Sequence, residues 1–211
     1  MLRKLFFFLL LISVSARISA QNFEGIIEFK KQTGTEVLNY VYYVKGDRVR
    51  IDEFTPGTRT VSGSFILDVN KKTMIYLNHD RKLWGTRQPP AADPVAPAGC
   101  IASATKNSKT LFGYKCTENI VKNVSDSTQI SYWVANGHFA FFTPMMKLLN
   151  RQEKFSTYFF AMTLKDGAFP FLAVESDLNG KEISRLEVTR FEQKTLDAGL
   201  FSTPKDYTEV K

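Results

Sequence analysis

From Phe23 onward, apolar and polar residues alternate with a period of two, and short turn sequences interrupt the alternation. This pattern is typical of antiparallel strands. In the first half of the chain it predicts six strands, at residues 23–31, 36–45, 48–54, 61–69, 73–78 and 83–87. Gly46-Asp47 joins the second strand to the third as a two-residue hairpin loop, since glycine accepts the positive φ that such a loop needs.

The second half of the chain resumes the alternation after a proline-rich stretch. Residues 88–99, QPPAADPVAPAG, lack too many N–H donors for a strand inside a sheet, so they predict a surface loop, with a domain boundary as the alternative. Further strands are predicted at 110–123, 128–135, 169–178 and 181–193. The last two form a hairpin across Asn179-Gly180, because Asn-Gly is the strongest short-range hairpin signal. Residues 195–201 predict one helical turn, and an extended tail follows.

Residues 139–162, FAFFTPMMKLLNRQEKFSTYFFAM, form the one long stretch that is apolar on several sides. Thr143-Pro144 predicts an N-cap followed by the first residue of a helix over 144–151. Residues 155–162 fit a second helix, although strand alternation fits them almost as well. The stretch is interpreted either as core helix closing one face of a sheet, or as a cover over an apolar cavity, since Met and Phe repack around irregular ligands. The candidate cover residues are Phe139, Phe141, Phe142, Met145, Met146, Leu149, Phe159 and Met162.

The first twenty residues differ from the rest of the chain. Basic residues at 3–4, an apolar run over 5–14 and small residues before Gln21 predict a secretory signal peptide cleaved after Ala20. The run is too short to span a bilayer stably. We therefore expect one exported domain, residues 21–211, located in the periplasm or secreted, with no transmembrane segment in the mature chain.

Composition narrows the function without identifying it. The formal charge of +7 falls to +4 without the signal peptide, and the remaining lysines are scattered, so nucleic-acid binding is not expected. Cys100 and Cys116 are the only cysteines; an exported chain permits a disulfide between them, and two unpaired, buried thiols are the alternative.

Catalytic and cofactor motifs are missing from the sequence. There is no G-x-S-x-G motif, no phosphate-binding glycine loop and no set of closely spaced zinc ligands, so no enzyme, cofactor or metal is expected. The two histidines, His79 and His138, each lie beside a predicted turn and are expected to be solvated. Glu175 and Asp177 are spaced as paired carboxylates on a solvent face, which leaves a hydrolase as a remote third hypothesis.

Several short motifs resemble an uncharacterised family of exported bacterial proteins. They are Phe23-Glu24-Gly25, residues 45–50, residues 66–68, residues 113–116, residues 132–134, residues 169–170, residues 186–189, residues 196–197 and residues 200–204. The resemblance implies a fold similar to that of periplasmic lipoprotein carriers such as LolA. That fold is mainly β (α+β): a curved, unclosed antiparallel half-barrel, here of about 10–11 strands, with one or two helices over its concave face. The proline-rich loop is the main departure from this pattern.

Two functional hypotheses follow. The first is an exported protein that binds a lipid, a lipoprotein acyl chain or another apolar ligand between sheet and helix. The alternative is a non-enzymatic scaffold or interaction module of the cell envelope, whose sheet is filled by its own side chains.

Overall fold

A single curved, unclosed sheet of twelve strands dominates the computed structural model, which describes residues 23–210. The predicted signal peptide lies outside the described residues. The strands are β1 (Glu24–Thr33), β2 (Glu36–Lys45), β3 (Arg48–Phe54), β4 (Val61–Asp68), β5 (Thr73–Asn78), β6 (Leu83–Arg87), β7 (Cys100–Leu111), β8 (Tyr114–Asn123), β9 (Thr128–Ala135), β10 (Phe169–Asp177), β11 (Glu182–Gln193) and β12 (Thr208–Glu209).

The sheet consists of two meanders that meet in its middle. Its strand order is β12-β6-β5-β4-β3-β2-β1-β11-β10-β9-β8-β7, and every pairing is antiparallel except that of β12 with β6. The first meander runs from β1 to β6 and the second from β7 to β11. Pairing of β1 with β11 joins them, with Gly25 opposite Gln193. The sheet is therefore completed by contact between the first strand of one meander and the last strand of the other.

The alternation of apolar residues located most strands to within two residues, and the predicted mainly-β fold is confirmed. The tight hairpin at Gly46 is also present, with φ 59 at that glycine. One prediction needs correction: residues 110–123 are not one strand, because Phe112 and Gly113 form a turn with φ 50 and φ 83. The edge strand β7 precedes this turn, and its alternation is weak because most of its side chains are exposed.

Two short helices lie over the concave face of the sheet. They are α1 (Phe142–Leu149) and α2 (Lys154–Thr157), and a 3-10 turn, Tyr158–Ala161, continues α2. The predicted N-cap at Thr143 is wrong, because α1 starts one residue earlier and Phe141 precedes it without a side-chain cap. Pro144 is consequently the third residue of the helix, where its missing N–H would have had no intrahelical partner.

A hydrophobic core lies on each face of the sheet, and the two cores differ in size. The larger core joins α1, α2 and the concave face. A smaller one, around Ile66, Leu77 and Phe201, lies on the other face beneath the C-terminal segment, whose predicted helical turn is the 3-10 turn Ala198–Phe201. Among residues 23–210, no helix has the length and apolar character needed to cross a bilayer.

Candidate functional site

The segment between β9 and β10 leaves the sheet and returns to almost the same point. At its base, the Gly137 and Phe139 amides both donate to the Gly167 carbonyl, at 3.0 and 3.2 Å. Both glycines have positive φ, 97 for Gly137 and 72 for Gly167, and a Cβ on Gly167 would lie 3.1 Å from the backbone of Gly137. The base is thus a narrow, glycine-dependent neck. We call residues 139–162, which extend from it over the sheet, the cover.

The structure brings all the predicted cover residues together in the concave core. Seven of them are buried and Met162 is partly buried. Their contact with one another is a property of the fold, and their contact with a ligand stays a prediction. Phe142 shows how tightly they pack, since its ring lies 5.0 Å from that of Phe169 and 5.4 Å from that of Phe159, both edge-on.

A small cavity of about 40 Å³ lies between the sheet and the cover. The sheet side is lined by Phe29, Tyr42, Tyr132, Pro170, Ala173 and Leu186, and the cover side by Phe142, Met146, Leu149, Arg151, Glu153, Phe155, Ser156 and Phe159. This volume admits a water molecule or two, whereas sites for small-molecule ligands usually measure about 300–1,000 Å³. The cover is therefore closed in this structure.

Polar contacts hold residues 151–158 of the cover, which we call its far side, against the sheet. They are Arg151 with Glu53, Glu153 with Lys31, Lys154 with Glu175 at 3.1 Å, and Tyr158 with Asp126. Three of these cover residues lie within four positions of one another, between α1 and the start of α2. They reach three different strands, so this short segment fastens the cover across the middle of the sheet.

Of these three cations, Arg151 is the one that lines the cavity. Its guanidinium lies 5.5 Å from the ring centroid of Tyr40 and 5.9 Å from that of Phe65. Burial lowers the pKa of Arg151, but Tyr42 once it ionises at high pH, the charges of Glu53 and Glu153 and the hydrogen bond with Glu53 together outweigh burial, and the pKa is raised. Arg151 therefore stays charged at the edge of an apolar cavity.

Two tyrosines bring hydroxyl groups to this site. Burial raises the pKa of Tyr42 to about 12, so its hydroxyl is neutral at physiological pH. Tyr132 is fully buried and donates to the Phe155 carbonyl at 3.0 Å, which ties the first turn of α2 to β9. The site thus combines apolar walls with a charged group and a neutral hydroxyl at one side.

The two carboxylates of the hydrolase hypothesis, Glu175 and Asp177, have different hydrogen-bond partners. Glu175 is buried, not on a solvent face as the sequence suggested, and accepts bonds from Ser184 and Thr128 at 3.0 and 3.2 Å. Asp177 accepts the backbone N–H groups of the β10–β11 turn. Each carboxylate thus has a structural partner of its own. Within residues 23–210, no group of three or more His, Cys, Asp or Glu side chains could hold a metal ion.

Of the two alternatives for the cysteines, the structure shows free thiols. Cys100 lies opposite Asn123, and Cys116 lies opposite Lys109, toward the other end of the same hairpin. Seven residues of strand span roughly 23 Å, far beyond the reach of a disulfide. Burial raises the pKa of Cys116 to about 11, so this thiol is a poor nucleophile.

Sequence reasoning missed a polar network on the convex face. Ser64 donates to Asp52 at 2.6 Å and lies 2.6 Å from Nε2 of His79, whose Nδ1 lies 2.7 Å from the Tyr207 hydroxyl. Arg50 donates to the same Asp52 oxygen at 2.7 Å. His79 is therefore half-buried and bonded through both ring nitrogens, whereas the sequence predicted a solvated side chain at a turn. No local motif could have revealed the network, because its members come from β3, β4, the β5–β6 turn and the C-terminal segment.

Structural comparison shows that this fold is also found in a solved protein. An uncharacterized conserved protein from Thermus thermophilus has a TM-score of 0.51 at 13% identity, over 89% of this chain and 90% of that one. The MucA/MucB complex of Pseudomonas aeruginosa has a TM-score of 0.48 at 9% identity, over 88% and 57%. A putative outer membrane lipoprotein-sorting protein domain from Vibrio parahaemolyticus has 0.33 at 8%, over 87% and 90%.

The sequence itself carries a clearer relationship. No curated protein matches the chain. A family of domains of unknown function, DUF4412, matches residues 23–207, which include all twelve strands except the last and the whole of the cover. The predicted membership of an uncharacterised family is confirmed: this chain belongs to the DUF4412 family.

Proposed function

We propose that this protein is an exported, non-catalytic binding protein that holds an acyl chain or another apolar ligand between its sheet and its cover. The observation that carries the proposal is the position of the cavity. It lies between the two layers, and aromatic and aliphatic side chains of both layers form its walls. Packed methionine and phenylalanine side chains of the cover suit a ligand of irregular shape, because they repack at little cost.

Ligand binding requires the cover to move, since about 40 Å³ does not accommodate an acyl chain. The cover is built for such a movement. Its base is the neck at Gly137 and Gly167, and its far side is held by side-chain contacts that water can replace. Displacement of the cover as one unit would expose its apolar underside and the concave face of the sheet together.

The polar side of the cavity indicates how a ligand would be oriented. Arg151, Glu153 and Tyr42 line it, whereas the remaining walls are largely apolar. An amphiphile would therefore place its polar end toward Arg151 and its chain beneath α1. A guanidinium and a phenol hydroxyl can both donate hydrogen bonds to a carboxylate or ester oxygen.

The first test is native mass spectrometry of protein purified from its own host without detergent, followed by extraction of bound lipid. We expect a mass increment that disappears on extraction. Titration with a fluorescent fatty acid then measures saturable binding.

Ala173→Val supplies the matched variant. Ala173 is buried on the cavity floor, so an added pair of methyl groups fills the space that a ligand needs. We expect the variant to fold and to bind the fluorescent fatty acid at least about tenfold more weakly. Ala102→Val, on exposed β7, makes the same chemical change away from the cavity and should bind as the wild type does.

The alternative function is a scaffold whose sheet is filled by its own side chains, and the small size of the cavity favours it. In that case no lipid co-purifies and the fluorescent fatty acid does not saturate. Ala173→Val would then only fill a void and raise stability, by up to about 1 kcal/mol. This combination of results would overturn the binding proposal.

A further inference from the structure

The turn between β7 and β8 places a large aromatic side chain where the backbone disfavours one. Leu111 and Tyr114 form the last pair of the hairpin, and Phe112 and Gly113 make the two-residue loop. Both loop residues have positive φ, a conformation that favours Gly, Asn or Asp and is unusual for Phe. Phe112 is also 44% exposed. Backbone preference alone therefore gives no reason for phenylalanine at this tip.

The Phe112 ring is nevertheless held in a fixed direction. It stacks on Phe171 with a centroid distance of 5.7 Å and an interplanar angle of 21°, and lies 6.1 Å from Phe191. These two rings belong to or pack against the concave core. One face of Phe112 thus rests on the protein while nearly half of the side chain points to the surroundings.

The hairpin that carries this exposed ring is basic. The β7–β8 hairpin contains four lysines, Lys106, Lys109, Lys115 and Lys122, and one acid, Glu118, which gives it a net charge of +3. Residues 23–210 as a whole contain 24 basic and 21 acidic residues, so their net charge is also +3. None of the four lysines forms an ion pair with any described residue, but the Lys109 ammonium lies 3.8 Å from the ring centroid of Trp133. Glu118 is bonded to Thr105, Asn107 and Ser131.

We propose that the tip of the β7–β8 hairpin docks on an anionic lipid surface, with Phe112 entering the interface and Lys115 contacting the head groups. Lys115 is exposed and directly follows Tyr114 of the last hairpin pair. An aromatic ring beside a lysine is a combination that favours the boundary between head groups and acyl chains.

A lipid surface fits this tip better than a protein partner does. A stable protein interface buries about 800 Å² on each side, which a two-residue loop does not provide. Interfacial insertion needs only the exposed ring and nearby cations, because the bilayer surrounds them. The inference stands on the tip alone and does not depend on a ligand beneath the cover.

Vesicle flotation with residues 21–211, which include every described residue, tests the proposal. We expect the protein to float with vesicles of phosphatidylglycerol and phosphatidylcholine, to bind phosphatidylcholine alone much more weakly, and to be released by salt. Phe112→Asn removes the ring and suits the positive φ, so the variant should fold and lose most of its binding. Lys115→Glu should weaken binding by about tenfold or more.

Matched controls lie on the β10–β11 hairpin at the opposite end of the sheet. Ile183 is 43% exposed, close to the value for Phe112, and Lys181 is an exposed lysine. Ile183→Asn and Lys181→Glu should float as the wild type does. The proposal is overturned if the wild type binds neither vesicle, if Phe112→Asn binds undiminished, or if Lys181→Glu weakens binding as much as Lys115→Glu does. The last result would indicate adsorption by overall charge.

Discussion

His79 shows how a residue without a recognisable motif acquires a defined protonation state. Ser64 gives its single hydroxyl proton to Asp52, so the Ser64 oxygen accepts a bond from Nε2–H of His79. Nδ1 then accepts from the Tyr207 hydroxyl. The donors then run in one direction, from Tyr207 to Asp52, and this order corresponds to a neutral imidazole with its proton on Nε2. It fastens the C-terminal segment to the convex face of the sheet.

This arrangement makes stability depend on pH near neutrality. Burial, and secondarily the charge of Arg50, lowers the pKa of His79 in the folded state, while Asp52 and Asp80 act in the opposite sense. The unfolded chain takes up a proton as the pH falls through about 6.5, before the folded protein does. The free energy of unfolding should therefore decrease from pH 7.5 to 5.5. Since His79 is partly solvated, the slope should stay below about 1.4 kcal/mol per pH unit.

Urea unfolding across this pH range measures the effect. His79→Gln should flatten the dependence, whereas His138→Gln changes the other histidine, which is exposed, and should leave it intact. An unchanged slope in His79→Gln would assign the pH dependence to other groups.

At the scale of elements, the cover is attached to the sheet in two different ways. Its underside packs against the core, and its far side depends on a few polar contacts. Arg151 combines an ion pair with Glu53 and contacts with the rings of Tyr40 and Phe65. Loss of this one side chain should loosen the junction of α1 and α2 more than any other part of the fold.

Arg151→Met keeps an apolar stem and removes the charge. We expect amide hydrogen exchange in residues 144–157 to accelerate by about tenfold, because local opening there loses roughly 1–2 kcal/mol of resistance. Lys82→Met removes the exposed ion pair with Asp206 and should leave exchange in the cover unchanged. Equal acceleration in the cover and in β9 would instead indicate global destabilisation by Arg151→Met.

Sequence patterning predicts an element best where its burial is one-sided. Buried and half-buried residues alternate along most of β9, and its observed bounds are those predicted. β7 was missed because an edge strand with exposed side chains has no alternation to read. The cover could be located from its content of Phe and Met. Its polar attachments could not, since partners such as Lys31 and Glu153 are distant in sequence and each looks like an ordinary surface charge.

For the whole molecule, the pairing of β1 with β11 is the decisive contact, and no local pattern predicts it. Gly25 marks how closely the strands approach at this junction. Its φ is 154, and a Cβ at this position would lie 2.0 Å from the Glu192 carbonyl oxygen. Only a residue without a side chain fits there.

Gly25→Ala should therefore destabilise the protein by about 3 kcal/mol or more, since the backbone of β1 or β11 has to shift. Gly34→Ala is the comparison: its φ is 58, but no atom lies within 4 Å of the added Cβ, so only backbone strain of about 1 kcal/mol is expected. Urea unfolding distinguishes the two. Similar losses in both variants would show that close approach at the junction contributes little.

The central position of β1 in the sheet also governs the order in which the molecule can be completed. Gly25 and its partner Gln193 are separated by nearly the whole chain, and contacts between such distant residues form slowly. During synthesis, the first meander exists long before β11, which begins at Glu182, has been made. Until then, the backbone groups of β1 that pair with β11 have no partner, and this strand contains the apolar residues Ile26, Ile27 and Phe29. A nascent chain therefore exposes an aggregation-prone edge until its last segment emerges, and efficient production depends on protecting that edge in the interval.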